Sequence, residues 1–163
     1  MKILVAIDGS KHSEVVVDEI ARRPFPAASE VQFISVIEPP YWPLYAGGRV
    51  DMQPYDVMES ASREGARAAV EKAATKLRAS EETRQLNITT KVLSGSPKGV
   101  ILAEAEAFGA DLIVVGSHGH GLVERFLLGS VSQAVALHAK CSVEIVRTQE
   151  KKQDPDNSTR REP

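Results

Sequence analysis

The residues best suited to chemistry form one run, Leu112 to Val135, which reads LIVVGSHGHGLVERFLLGSVSQAV. It opens on an apolar stretch, Leu112 to Val115, passes through a glycine-rich turn and enters a helix near Gly129 and Ser130. Val131, Ala134, Val135 and His138 recur at i, i+3, i+4 and i+7, which is one face of that helix. Glycines at 116, 119, 121 and 129 remove side chains where a main chain would have to come close to a ligand. Ser130, Ser132 and the N–H groups of a first helical turn add donors at the positive end of a helix dipole. A strand, a glycine loop and a helix N-terminus in that order suit a phosphate group. The bland alternative is a glycine-rich turn with a purely structural role.

The spacing separates this run from other phosphate loops. GxxxxGK[ST] is absent, and Gly119-His120-Gly121-Leu122-Val123-Glu124 lacks the third glycine of a dinucleotide fingerprint. Gly116, two residues, Gly119, nine residues and then Gly129-Ser130 resemble the G-x2-G-x9-G-[ST] signature of the ATP-binding branch of the universal stress protein family. The opening MKILVAIDGSKHSEVVV is similar to that family's first strand and helix, and the resemblance covers about residues 1 to 147.

That resemblance implies a Rossmann-like α/β fold, bound ATP or another adenine nucleotide, and a Mg or Mn ion held through the phosphates. It implies that Ala6, Ile7 and Asp8 line the ligand at the end of strand one, with Asp8 on the ribose and base region. Val36, at the end of strand two, matches the position whose backbone meets adenine. Ala6 stands where some relatives carry proline. Gly116, Ser117, His118, Gly119, Gly129, Ser130, Val131 and Ser132 fall where the phosphates are held, largely by main-chain N–H groups and hydroxyls. On residue chemistry alone, Asp8 serves equally as a cap on the next helix or turn, and Val36 as core.

Other reactive residues point nowhere so definite. His118 and His120 form an H-x-H pair with no third ligand type close in sequence, and a loop histidine is commonly just solvated. Arg125 is either a phosphate partner or a solvated charge. His138 reads as core or rim, and Cys141 has only Lys140 beside it to lower its pKa. There is no GxSxG elbow, no kinase motif set and no HExxH. The chain is therefore expected to hold a nucleotide rather than turn it over, with at most slow ATP hydrolysis. The rival readings are an adenine-nucleotide-dependent enzyme of the same broad fold, and an interaction module that binds no nucleotide.

The elements that must position this run follow from periodicity. Ile3–Ile7, Val31–Ile37, Ile88–Leu93, Leu112–Val115 and Ser142–Val146 read as strands. Helices are expected after Ser10, from about Asp56 to Glu82, after Ser96-Pro97 and after Gly129. In the second of these, Val57, Ala61, Gly65, Ala69, Ala73 and Leu77 form an i+4 stripe expected to pack on the sheet. The βαβαβαβαβ pattern predicts an α/β three-layer sandwich, a five-stranded parallel sheet with helices on both faces. Strands three and five alternate as edge strands do, and the others are nearly all apolar, which fits the order 3-2-1-4-5. Strands one and four are then neighbours at the switch point, where ligands bind past the carboxyl ends.

Composition bounds the rest. The chain has 163 residues, 42% of them hydrophobic and 26% charged, with a net charge of −2. That balance suits one domain with a real core and gives no basic field for nucleic acid. No apolar run approaches the ~20 residues of a membrane span. A lone cysteine, Cys141, and no apolar leader are consistent with the cytoplasm. Residues 148–163 carry no apolar side chain except proline and are expected to be a disordered tail after a 1–147 domain. The loop with Tyr41, Trp42 and Tyr45 either covers a ligand or partner or folds onto the surface. The family resemblance further implies a homodimer paired through strand five, Ser142 to Val146.

Overall fold

The computed structural model describes residues 1–39, 53–117 and 128–147. Its elements are β1 (Lys2–Ala6), α1 (Lys11–Ala21), β2 (Glu30–Ile37), α2 (Gln53–Ala79), β3 (Asn87–Ser94), α3 (Pro97–Phe108), β4 (Leu112–Gly116), α4 (Ser130–His138) and β5 (Ser142–Val146). All five strands are parallel, in the order β3-β2-β1-β4-β5. The expected strands therefore form, within a residue or so of the expected limits, and in the expected order. The aromatic loop residues Tyr41, Trp42 and Tyr45 and the chain beyond Arg147 lie outside the described residues.

Alternation along the strands creates two cores. Ile3, Val5, Val31, Phe33, Leu112 and Val114 face Val16, Val17 and Ile20 of α1 and Val70, Ala73, Ala74 and Leu77 of α2. Leu4, Ile34, Ile113 and Val115 face Ile101 and Ala105 of α3 and Val135 of α4. Strands with apolar residues at every position need cover on both faces, and the βαβ crossovers supply it. β5, with residues pairing only β4, forms one edge, and β3 forms the other.

Local chemistry sets the helix ends. Ser10 caps α1, its hydroxyl accepting from Ser13 N at 3.3 Å. Pro97 occupies the first turn of α3, where its missing N–H costs nothing. Ser96 stands at the N-cap as expected, yet its hydroxyl makes no capping bond. Gly109 ends α3 at φ 69°, and its N–H reaches the carbonyls of Ala105 and Glu106.

The i+4 stripe expected on α2 holds only in its second half. Ala66, Val70, Ala73, Ala74 and Leu77 are buried, whereas Val57 is 67% exposed and Ala61 and Gly65 face solvent. Each four-residue step overshoots a full turn by about 40°, so a strict i+4 row spirals off the sheet. The observed contact face alternates steps of three and four. α2 is tied to α1 by Lys72 on Glu14 at 2.7 Å and by Lys76 on Asp18. The Lys72 hydrogen bond holds the Glu14 carboxyl below its ordinary range. At the other side, Arg23 after α1 grips Glu144 of β5 with both guanidinium arms, at 2.5 and 2.8 Å. Among the described residues no helix is long and apolar enough to cross a membrane.

This packing makes a direct comparison possible. Leu77→Ala should cost about 2–5 kcal/mol, the usual range for emptying a buried leucine site. Val57→Ala should change stability by no more than about 0.5 kcal/mol. Urea unfolding of both variants measures this; a larger loss at Val57 than at Leu77 would contradict the assignment of the buried face.

Candidate functional site

β1 pairs with β4 through Ile3↔Leu112, Leu4↔Ile113, Val5↔Val114 and Ala6↔Val115. The chain leaves β1 toward β2 on one side and β4 toward β5 on the other, so the loops past their carboxyl ends diverge and leave a crevice. Asp8 and Ser117 follow β1 and β4 there, so both described halves of the expected site lie past the carboxyl ends of two neighbouring strands.

On the β1 side, four hydrogen bonds tie Asp8, Ser10 and Ser13 together. Ser13 Oγ donates to Asp8 Oδ1 at 2.5 Å and accepts from Asp8 N at 2.9 Å. Ser10 N donates to the same Oδ1 at 3.0 Å, and Ser13 N donates to Ser10 Oγ. Asp8 is half-buried, while Ser10 and Ser13 are buried. The capping role weighed for Asp8 is therefore present, and it holds the carboxylate just past the carboxyl end of β1. Gly9 sits between these groups at φ 80°, with a Cβ there meeting Ala69 Cβ at 3.4 Å. A side chain would be strained by that backbone whatever space it found.

On the β4 side, Ser117 is the knot. Its N–H donates to Val146 O at 2.8 Å, and its carbonyl accepts from Gly129 N at 2.8 Å. Ser132 Oγ shares its one proton between Gly129 O at 2.9 Å and Ser117 O at 3.2 Å. The two ends of the glycine run are thereby pinned together at the mouth of α4. Ser132 is 2% exposed. Its hydroxyl proton is spent inside the protein, so in this arrangement Ser132 offers a ligand its main-chain N–H rather than its hydroxyl. Gly129 is the N-cap of α4 and brings no side-chain cap. The first-turn N–H groups of Ser130, Val131 and Ser132 have no intrahelical acceptor, and Ser130 is exposed.

The remaining expected site residues take these places. Ala6 ends β1 between Ile34 and Val115. Ile7 is buried and its N–H donates to Ile34 O at 2.9 Å. Val36 is half-buried near the end of β2, and Gly116 ends β4 opposite Val146. His118 and Gly119, with His120 and Arg125, lie outside the described residues. Among the described residues no three His, Cys, Asp or Glu side chains gather as a metal site.

The family model for the universal stress protein family matches residues 1–147. This chain belongs to the universal stress protein family. A putative universal stress protein of Staphylococcus epidermidis is 48% identical over 69 residues, which span 42% of this chain and 42% of that relative. The fold is that of the universal stress protein UspA from Lactobacillus plantarum, with a TM-score of 0.71 at 23% identity over 90% of this chain and 97% of that one. An Arabidopsis thaliana family member with AMP bound superposes with a TM-score of 0.66 at 17% identity, over 96% and 97% of the two chains. Further solved members of the same fold are in complex with cAMP and with dAMP.

Within this universal stress protein, the structure also places two residues weighed from the sequence. His138, read as core or rim, is exposed in the last turn of α4, which excludes the core. Cys141 lines a cavity of about 250 Å³ under α3 with Leu102, Ala105, Ile113 and Ala139. Burial, and then the nearby Asp111 charge, push its thiol up, so it stays protonated at neutral pH. Ser13 is the group that sequence reasoning passed over. The Ser10-x-x-Ser13 spacing was the available signal, since residues three apart meet at a helix start.

Removing the pin at α4 should be measurable. Ser132→Ala should lower stability by about 0.5–1.5 kcal/mol, the usual net worth of a buried hydrogen bond. Thermal unfolding of the variant beside the wild type reads it, and an unchanged melting temperature would show that Gly129 N alone holds Ser117 O.

Proposed function

We propose that this universal stress protein binds an adenine nucleotide, ATP with a Mg or Mn ion, across the carboxyl ends of β1 and β4. The loaded form serves as a regulatory signal in a stress response. One observation carries the reading: β1 and β4 are neighbours, so the Asp8 cluster and the pinned entry of α4 face one crevice. The residues present fit such a ligand. Asp8 supplies an acceptor for ribose hydroxyls, and the α4 first turn, without a side-chain cap, supplies N–H groups for phosphate. The metal would be held chiefly through the phosphates, as magnesium commonly is. Relatives of the same fold that carry AMP, cAMP or dAMP support an adenine nucleotide. The intact G-x2-G-x9-G-[ST] spacing supports ATP among them. Regulation follows if a partner has different affinities for loaded and empty protein.

Titration calorimetry with ATP, with and without Mg²⁺, tests this. Saturable binding that tightens with metal is expected; no heat and no thermal shift at millimolar ATP would remove the nucleotide reading.

We also propose a cytoplasmic location and a homodimer through β5. Ser142 N donates to Asp111 O and Val146 O accepts from Ser117 N, so the even-numbered residues of β5 bond to β4. Val143 and Ile145 then turn their main-chain groups to the open edge, which favours pairing with another strand. Proline at Ile145 would remove an outward donor without breaking the β4 ladder. Sedimentation at micromolar concentration should give a dimer for wild type and a shift toward one 17.7 kDa chain for Ile145→Pro. A monomeric wild type would dismiss the dimer.

A further inference from the structure

We infer that Ser13 is a positioning residue for the nucleotide: it acts through Asp8 and sets how strongly the site engages the ribose. The inference rests on the adenine-nucleotide reading above and assigns a role to a side chain that need not touch the ligand.

The geometry is specific. Ser13 Oγ is both donor and acceptor toward one residue, giving its proton to Asp8 Oδ1 at 2.5 Å and taking the Asp8 N–H at 2.9 Å. The first contact has the length of a charge-assisted bond between a hydroxyl and a carboxylate. The second fixes the backbone from which that carboxylate hangs. Ser10 N approaches the same Oδ1 at 3.0 Å, so one carboxylate oxygen is committed to the start of α1 and the carboxyl plane is set. Ser13 is itself anchored, being 7% exposed in the first turn of a helix whose next turns carry Val16, Val17 and Ile20 into the core. The position of Asp8 at the crevice therefore derives from the α1 packing, transmitted by the Ser13 hydroxyl together with the Ser10 N–H. A carboxylate on a loop after a strand would otherwise sample several rotamers. Holding one rotamer before the ligand arrives removes that ordering cost from binding.

A merely structural serine would influence every nucleotide alike. A serine acting through Asp8 must discriminate at the ribose, because that is where the carboxylate meets the ligand. The experiment compares ATP with 2′,3′-dideoxy-ATP on the full-length protein by calorimetry, for wild type, Ser13→Ala and Ser13→Thr. Ser13→Ala should weaken ATP at least fivefold and dideoxy-ATP less than twofold, while Ser13→Thr, which keeps a hydroxyl, restores ATP affinity to within twofold of wild type. If Ser13→Ala fails to fold, Ser13→Cys, of similar volume but with a weak donor, takes its place in the same comparison. Equal weakening of both nucleotides, or no weakening of either, would overturn the role of Ser13 and leave the nucleotide reading standing. A wild-type protein that binds neither nucleotide would overturn both.

Discussion

Ile3, Leu4 and Val5 are wholly buried because β1 is paired on both sides and covered on both faces. The position of every other element follows from that strand. Its pleat sends Ile3 and Val5 toward α1 and α2, and Leu4 toward α3 and α4. A slip of one residue would exchange these faces and put each side chain into the wrong core. The register Leu4↔Ile113 on one side and Leu4↔Gln32 on the other is thus enforced by packing. Once β1 has β2 and β4 as neighbours, its connection and that of β4 must run to opposite sides. The crevice between them is a consequence of topology and needs no residue dedicated to shaping it.

The polar groups at the carboxyl ends of β1 and β4 are ordered by the same packing. Buried hydroxyls and main-chain groups must find partners, since leaving one unpaired costs about 1–3 kcal/mol. Ser10 and Ser13 meet this requirement by closing on Asp8, and Ser132 meets it by closing on Ser117 and Gly129. Each closure ties a strand end to the start of the helix that follows it. Two strand-to-helix corners on either side of the crevice are therefore braced independently of any ligand. The cap that holds Asp8 and the contact expected of Asp8 are compatible uses of one side chain.

The edges of the sheet are treated differently from its middle. Glu144 on β5 is gripped by Arg23, which in turn takes Glu19 one helical turn away at 3.1 Å. This cluster fastens the outer strand to α1 on one face. On the other face, Val143 and Ile145 are only half-buried beside α4. The main-chain edge remains available for pairing while the strand itself is held in place.

Much of this was legible in the residues. Apolar runs and turn punctuation suffice to give five strands, their parallel arrangement and their order, because parallel strands must be buried on both faces and edge strands need not be. The glycine spacing from Gly116 to Ser130, beside the apolar strand that precedes it, suffices to name the family and to point at the crevice. Three features required the tertiary structure. The contact face of α2 is decided by how the helix crosses the sheet, which an i+4 row of small residues does not encode. The hydroxyl of Ser132 reaches Gly129 O within its own first turn, and Ser117 O joins it only when β4 and α4 pack. Ser13 becomes the holder of Asp8 because the turn at Gly9 folds α1 back over the end of β1. Sequence determines what depends on period and residue type; the direction in which a side chain spends its hydrogen bonds depends on which distant atoms arrive beside it.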